Sequence, residues 1–193
     1  LSGGASSLMA VPREPVSLDA KQQTVRRLLA RGADITELNT VRKHLSAIKG
    51  GQLAAACRGS VLTLAISDVV GDDLSVIGSG PTVADPTTFQ DALAVLDVRG
   101  GRAGYPPAVV TLLERGMAGQ IAETPKPGAP LFSRTIARVI GGAADALGGA
   151  RTAAAALGYH VHTIEQPVVG EARIAASAYL SKAAALASRA RRP

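Results

Sequence analysis

The nearly continuous apolar run over residues 60–67 constrains this chain more than any other segment. It has strand length, is rich in aliphatic side chains and ends abruptly at Asp68. A run of that kind predicts a strand buried on both faces, and such strands belong to parallel sheets covered by helices. The segments around it agree. Residues 134–140 and 159–164 predict a second and a third strand. Ser17 caps a helix over 18–31, and Asp34-Ile35-Thr36-Glu37 opens one that carries Leu38, Val41, Leu45 and Ile48 on one face. Further helices are expected from Asp85-Pro86 through Val98, over 106–116, after Gly141-Gly142 as far as Gly158, and over 170–189. Residues 118–133, with several Pro and Gly, are expected to form a surface excursion. Strands alternating with helices define an α/β layer structure.

Composition narrows the function. A hydrophobic fraction of 47% against 19% charged residues is that of a folded chain, not a disordered one. With aromatics at 3% and no Trp, the stacking platform of single-strand nucleic-acid binders is missing, so no nucleic-acid partner is expected. The net charge of +6 is equally suited to a small acidic substrate. One Cys excludes a disulfide framework and a multi-cysteine zinc site. No apolar run approaches the roughly 20 residues of a membrane span, and nothing resembles a secretion leader, which together predict a cytoplasmic protein without a membrane partner.

Common catalytic fingerprints are absent. There is no G-x-x-x-x-G-K-[ST], H-E-x-x-H, G-x-S-x-G or C-x-x-C. Gly78-Ser79-Gly80 starts like a dinucleotide turn, but Val83 occupies the third glycine position. His160 and His162 share a strand face without an acidic neighbour to complete a metal site.

Four segments retain chemical promise. Ser2-Gly3-Gly4-Ala5-Ser6-Ser7 offers backbone N–H groups and hydroxyls to an anion. Asn39, Arg42, Lys43 and Ser46, three or four apart, are expected to share the helix side away from the apolar stripe, and Lys49-Gly50-Gly51 follows. Ser67-Asp68-Val69-Val70-Gly71-Asp72-Asp73 places carboxylates just after the best strand, where α/β folds bind ligands. Gly78-Ser79-Gly80-Pro81-Thr82 permits close approach of backbone to ligand.

Taken in order, these stretches resemble the MOFRL-type D-glycerate 2-kinases, a family often labelled hydroxypyruvate reductase in bacteria. The matching residues are Leu1 to Leu8, Leu38-Asn39-Thr40-Val41-Arg42-Lys43-His44-Leu45-Ser46 through Lys49-Gly50-Gly51, Ser67 to Asp72, and Gly78 to Thr82. Four ordered motifs over roughly residues 1–85 carry the likeness, and beyond residue 134 it rests on the order of elements. One departure is Gly141-Gly142-Ala143, where the family usually has Gly followed by Ser or Asn. The resemblance implies a Rossmann-like parallel sheet flanked by helices, truncated at both ends. Residues 1–193 would then be a partial kinase domain without the upstream Gly-Lys-Ala segment, the downstream Ser-Gly-Gly-Glu loop and the C-terminal MOFRL domain. It implies transfer of the γ-phosphoryl group of ATP to the 2-hydroxyl of D-glycerate, with Mg²⁺.

On that reading Ser2, Gly3, Gly4, Ser6, Ser7, Asn39, Lys49, Gly50, Gly51, Ser79, Gly80 and Thr82 contact substrate or nucleotide. Arg42, Lys43 or Lys49 neutralises the carboxylate or the transferred group. Asp68 and Asp72 hold Mg²⁺ directly or through water, or one of them orients the attacking hydroxyl, with Asp68 favoured. The fragment alone is expected to be inactive and, through an exposed sheet edge, prone to form a homodimer. The alternatives are an NAD(P)H-dependent hydroxypyruvate reductase, which needs the dinucleotide fingerprint that is lacking, and a non-catalytic α/β module docking a partner through its basic helices.

Overall fold

In a computed structural model of the chain, residues 1–164, 168 and 170–189 are described. They form two compact units, residues 1–143 and residues from 144 onward. The first unit begins with a single helical turn, α1 (Ala5–Leu8), followed by α2 (Leu18–Ala30), α3 (Ile35–His44) and α4 (Gln52–Ala56). Strand β1 (Val61–Ile66) leads through a long loop to α5 (Phe89–Val98) and α6 (Pro107–Met117). Strand β2 (Thr135–Gly141) lies parallel to β1, with Val61 opposite Thr135 and a bulge where Ala65 gives way to Ile66. The helices α7 (Ala143–Ala156) and α8 (Ala172–Arg189) belong to the second unit except for the first residue of α7.

The α/β class is therefore observed, with a parallel sheet of two strands among the described residues. Two strand expectations need correction. Among the described residues the ladder has no strand at 159–164: Tyr159 and Val161 alternate with His160 and His162, yet no strand pairs with that backbone. Alternation only supplies a face, and a strand also needs a partner. Nor is β1 buried on both sides. Thr63 and Ala65 point inward, while Leu62, Leu64 and Ile66 are exposed on the other face.

The main core is helical. Leu28 of α2, Val41 of α3 and Leu45 just after it, Phe89, Leu93 and Leu96 of α5, and Val109, Leu112 and Leu113 of α6 pack together with essentially no exposure. Helix starts follow the sequence. The Ser17 hydroxyl accepts from the Ala20 N–H, and Asp34 and Glu37 close a reciprocal capping box. Thr88, not Asp85, caps α5, through its own box with Asp91. Asp85 is instead drawn inside to meet a lysine. Helix α3 also stops short of Ile48, because Ser46 bridges to Pro12 and its hydroxyl accepts from the N–H groups of Ile48 and Lys49.

Candidate active site

The loop that matters most is delivered beside β1. The Leu1 carbonyl accepts from the Ile66 N–H at 2.8 Å, on the strand whose other neighbour is β2. The chain then turns at Gly4, whose φ of 79° lies in the left-handed region that suits glycine, and enters α1. Opposite it, Asp68 and Val69 leave the C-terminal end of β1. Between these segments and α3 lies a cleft of about 400 Å³. Ser2, Gly3, Gly4, Ser6, Ser7, Asn39, Arg42, Asp68 and Gly78 all line it. Residues from four separate sequence segments thus form one concave surface at a strand's C-terminal end.

Its walls are tied by polar contacts, not by apolar packing. The Ser79 hydroxyl, fully buried, donates to Asn39 Oδ1 at 3.0 Å and shares a 2.9 Å bond with the Ser6 hydroxyl. Lys49, 1% exposed, places its ammonium 2.9 Å from the Ser6 carbonyl and 3.1 Å from the Gly78 carbonyl. Arg42 Nη2 donates to the same Ser6 carbonyl at 2.9 Å. The α1 turn is therefore held by two cations from different segments. Asn39 is 4% exposed, and its Nδ2 has no protein partner, although a buried amide donor normally finds one. It stands in the cleft wall as a donor available to a ligand.

Among the described residues neither Lys49 nor Arg42 forms an ion pair with a carboxylate. Burial, then Arg42 and Lys21, pull the Lys49 ammonium down to about 7 from 10.5. Burial lowers the Arg42 guanidinium as well. Cations crowded into low dielectric favour an anionic visitor.

Comparison with known proteins gives this geometry a family. The domain described as "Domain of unknown function (DUF4147)" matches residues 1–114. The chain belongs to the DUF4147 family. A glycerate 2-kinase of Pyrococcus horikoshii is 48% identical over 130 residues, 67% of this chain and 30% of that protein. The glycerate kinase of Rattus norvegicus is 42% identical over 180 residues, 93% of this chain and 33% of its own. Among solved structures, the glycerate kinase of Thermotoga maritima superposes with a TM-score of 0.70 at 39% identity, covering 84% of this chain and 36% of that one. The chain spans about a third of the length of the relatives it matches. The resemblance drawn from the four motifs is borne out at the level of family.

Within this DUF4147 chain, the remaining residues expected at the site take other places. Arg42 and Lys43 do not share a helix side. Successive residues diverge by about 100° around a helix, and Lys43 turns inward to pair with Asp85 at 3.3 Å, both nearly inaccessible. Asp85 also accepts from the Thr87 N–H and hydroxyl and from the Thr124 hydroxyl. Burial alone would raise its carboxyl, but the Thr87 hydroxyl, Lys43, His44 and the Thr87 N–H together hold it below the usual range.

Ser46 likewise leaves the site, as a capping hydroxyl. Gly50 and Gly51 spend their N–H groups on the Ser79 and Gly80 carbonyls, at 3.0 and 2.7 Å. Both are packing positions: a Cβ on Gly51 would lie 2.9 Å from the Val83 carbonyl oxygen. Gly80 similarly packs against Ser75, and the Thr82 hydroxyl is tied to that of Thr63 at 2.7 Å beneath the sheet. Asp72 does not line the cleft. Its carboxylate stands 3.1 Å from where a Cβ on Gly142 would lie.

His44 was invisible as a structural residue in the sequence. Fully buried, it bonds the Thr40 carbonyl at 2.8 Å and Glu123 at 3.2 Å, and meets the Phe89 ring edge-on. Glu123 in turn accepts from the Phe89 N–H at 2.8 Å, which fastens part of the 118–133 segment to α5.

Among the described residues no cluster of three or more His, Cys, Asp or Glu side chains gathers to hold a metal. A Mg²⁺ ion carried on phosphates needs only one or two protein carboxylates. Asp68, whose Oδ2 lies 3.7 Å from where a Cβ on Gly3 would sit, offers one beside the glycine loop. The cleft fits such an ion through Asp68.

Proposed function

We propose that the protein is a kinase that transfers the γ-phosphoryl group of ATP to the 2-hydroxyl of D-glycerate, giving 2-phosphoglycerate. The observation that carries this reading is the single cleft in which a glycine–serine loop, a guanidinium and a carboxylate meet. Phosphoryl transfer asks a protein chiefly for positioning and charge neutralisation. Gly3 and Gly4 let the backbone come close to a phosphate or carboxylate, and Ser2, Ser6 and Ser7 border the same space. Arg42 neutralises the substrate's negative charge, and Asn39 Nδ2 donates to an oxygen of the ligand. Asp68 either accepts the proton of the 2-hydroxyl as it attacks or holds Mg²⁺, which would screen charge on the transferred group. Lys49 positions the site by holding the Ser6 and Gly78 carbonyls. Lys43, paired with Asp85, serves the fold. The resemblance to glycerate kinases more than twice this chain's length supports the substrate assignment.

The test is a coupled ADP-release assay with D-glycerate, ATP and Mg²⁺ on the protein's full chain, beside the 193-residue chain alone. Asp68→Asn should cut kcat by about 10²-fold or more. Arg42→Gln should lower kcat/KM for glycerate at least tenfold, the scale of one lost charge-assisted bond. The 193-residue chain should give no turnover, because charged groups around one transition state act as a unit. Normal turnover by Asp68→Asn and Arg42→Gln would remove this cleft from the reaction. NADH-dependent reduction of hydroxypyruvate without ADP release would replace the reading altogether.

A further inference from the structure

A second, smaller chamber adjoins the cleft and shares Ser6, Ser7 and Arg42 with it. Its volume is about 250 Å³, and Lys21, Gln22 and Arg26 of α2 form its other polar wall. Among the described residues no carboxylate lines it. Lys21 is the decisive residue. It is 4% exposed, and its Nζ has no hydrogen-bond partner among the described residues. An ammonium taken out of water normally acquires a partner, because an uncompensated buried charge costs several kcal/mol.

The neighbours of Lys21 make matters worse, not better. Arg42 lines the same chamber and, among the described residues, makes one hydrogen bond, through Nη2 to the Ser6 carbonyl. Arg26 adds a further cation at the wall. Burial first, and Arg42 second, draw the Lys21 ammonium down to about 8 from 10.5.

We propose that this chamber is a binding site for a small anion, in which Lys21 and Arg42 grip one carboxylate or phosphate group. The volume falls short of the roughly 300–1,000 Å³ typical of sites for drug-sized ligands, so a nucleotide does not fit, whereas a phosphate or a three-carbon acid does. The burial of Lys21 keeps water from its ammonium, which strengthens a charge-assisted bond made there. Shared walls put the bound anion next to the glycine loop. The inference leans on the kinase reading only in naming D-glycerate as one of two sources for the anion. The other is inorganic phosphate.

The experiment uses the full chain without nucleotide, titrated calorimetrically with inorganic phosphate and, separately, with D-glycerate. Lys21→Met should raise the Kd of at least one probe tenfold or more, while its unliganded melting temperature stays level or rises. Loss for glycerate alone identifies the seat of the substrate carboxylate, and loss for phosphate identifies a phosphate seat. A second readout separates Lys21 from Lys49, the other lysine with a depressed midpoint: the ¹³Cε resonance that is missing from Lys21→Met should move its titration midpoint to higher pH in the wild type when the effective probe is added. Equal binding by wild type and Lys21→Met, no binding by the wild type at about 10 mM of either probe, or an unmoved lysine midpoint would overturn the proposal. Glycerate phosphorylation is measured on the same samples. Lys21-dependent anion binding by a protein that phosphorylates nothing would retain this site and discard the kinase. A working kinase with Lys21-independent binding would do the reverse.

Discussion

Replacing Asp85 by Asn separates a lysine that builds the fold from one that does chemistry. Asp85 is fully buried and accepts from Thr87, Thr124 and Lys43. The carboxamide keeps shape and volume but strands the Lys43 ammonium, 5% exposed, without a counter-charge. Breaking a buried ion pair from one side costs about 3–5 kcal/mol. Against a typical total stability of about 5–15 kcal/mol, that is a large share.

Urea unfolding of the chain, followed by far-UV circular dichroism at pH 7, should therefore show at least about 3 kcal/mol lost. The double variant Asp85→Asn/Lys43→Met, with both charges gone, should recover part of that loss. The effect also has a pH signature. The native carboxyl lies below its unfolded value of 3.8, so its contribution is complete above that pH and fades as acid is added below it. Wild type and Asp85→Asn should then converge at low pH. In the full chain, kcat per folded molecule should change by less than about threefold, a difference of under 1 kcal/mol in the barrier. A stability loss below about 1 kcal/mol, or a hundredfold fall in kcat with folding intact, would refute the structural role and return Lys43 to the active site.

Two further outcomes follow from packing and charge. Lys49 is held near 7 in the folded chain against 10.5 unfolded, so between those pH values the unfolded state binds more protons and the folded state gains stability as pH rises. Urea-derived stability of wild type minus that of Lys49→Met should climb from about pH 7 toward 10 and be flat below about 6; a flat difference throughout would contradict the burial argument. Gly116→Ala should destabilise the chain by at least about 2 kcal/mol despite alanine's helical advantage of about 1 kcal/mol, as read from its thermal midpoint. The reason is that the new Cβ would lie 2.3 Å from the Phe89 ring, in the middle of the core.

What the sequence disclosed was local or motif-borne. The capping groups Ser17 and Asp34 announce their helices because a cap acts within three residues. The loop at Ser2 to Ser7 and Asp68 flank the C-terminal end of β1, and Asn39 and Arg42 face the same cleft from within α3. What stayed hidden depends on partners far away in sequence. Asp85 looks like a cap until Lys43 arrives from 42 residues upstream. Lys21 looks like an exposed helix charge, yet it is 4% exposed and borders a chamber shared with Arg42 and Ser6. Residues 159–164 have the alternation of a strand but no ladder to join, and alternation cannot reveal that.

Helix α3 deserves a last word from the standpoint of anyone who would redesign this protein. Its ten residues serve three clients: Leu38 and Val41 fill the core, Asn39 and Arg42 border the cleft, and Lys43 and His44 anchor acids from other segments. Hardly a position is spare, so a change of specificity attempted there would disturb folding at the same time. The α1 turn is freer. Ser7 is exposed, Leu8 is 85% exposed, and both sit beside the ligand-facing loop without a structural bond from their side chains. New selectivity is more cheaply written on that turn, leaving the helix behind it as fixed scaffolding.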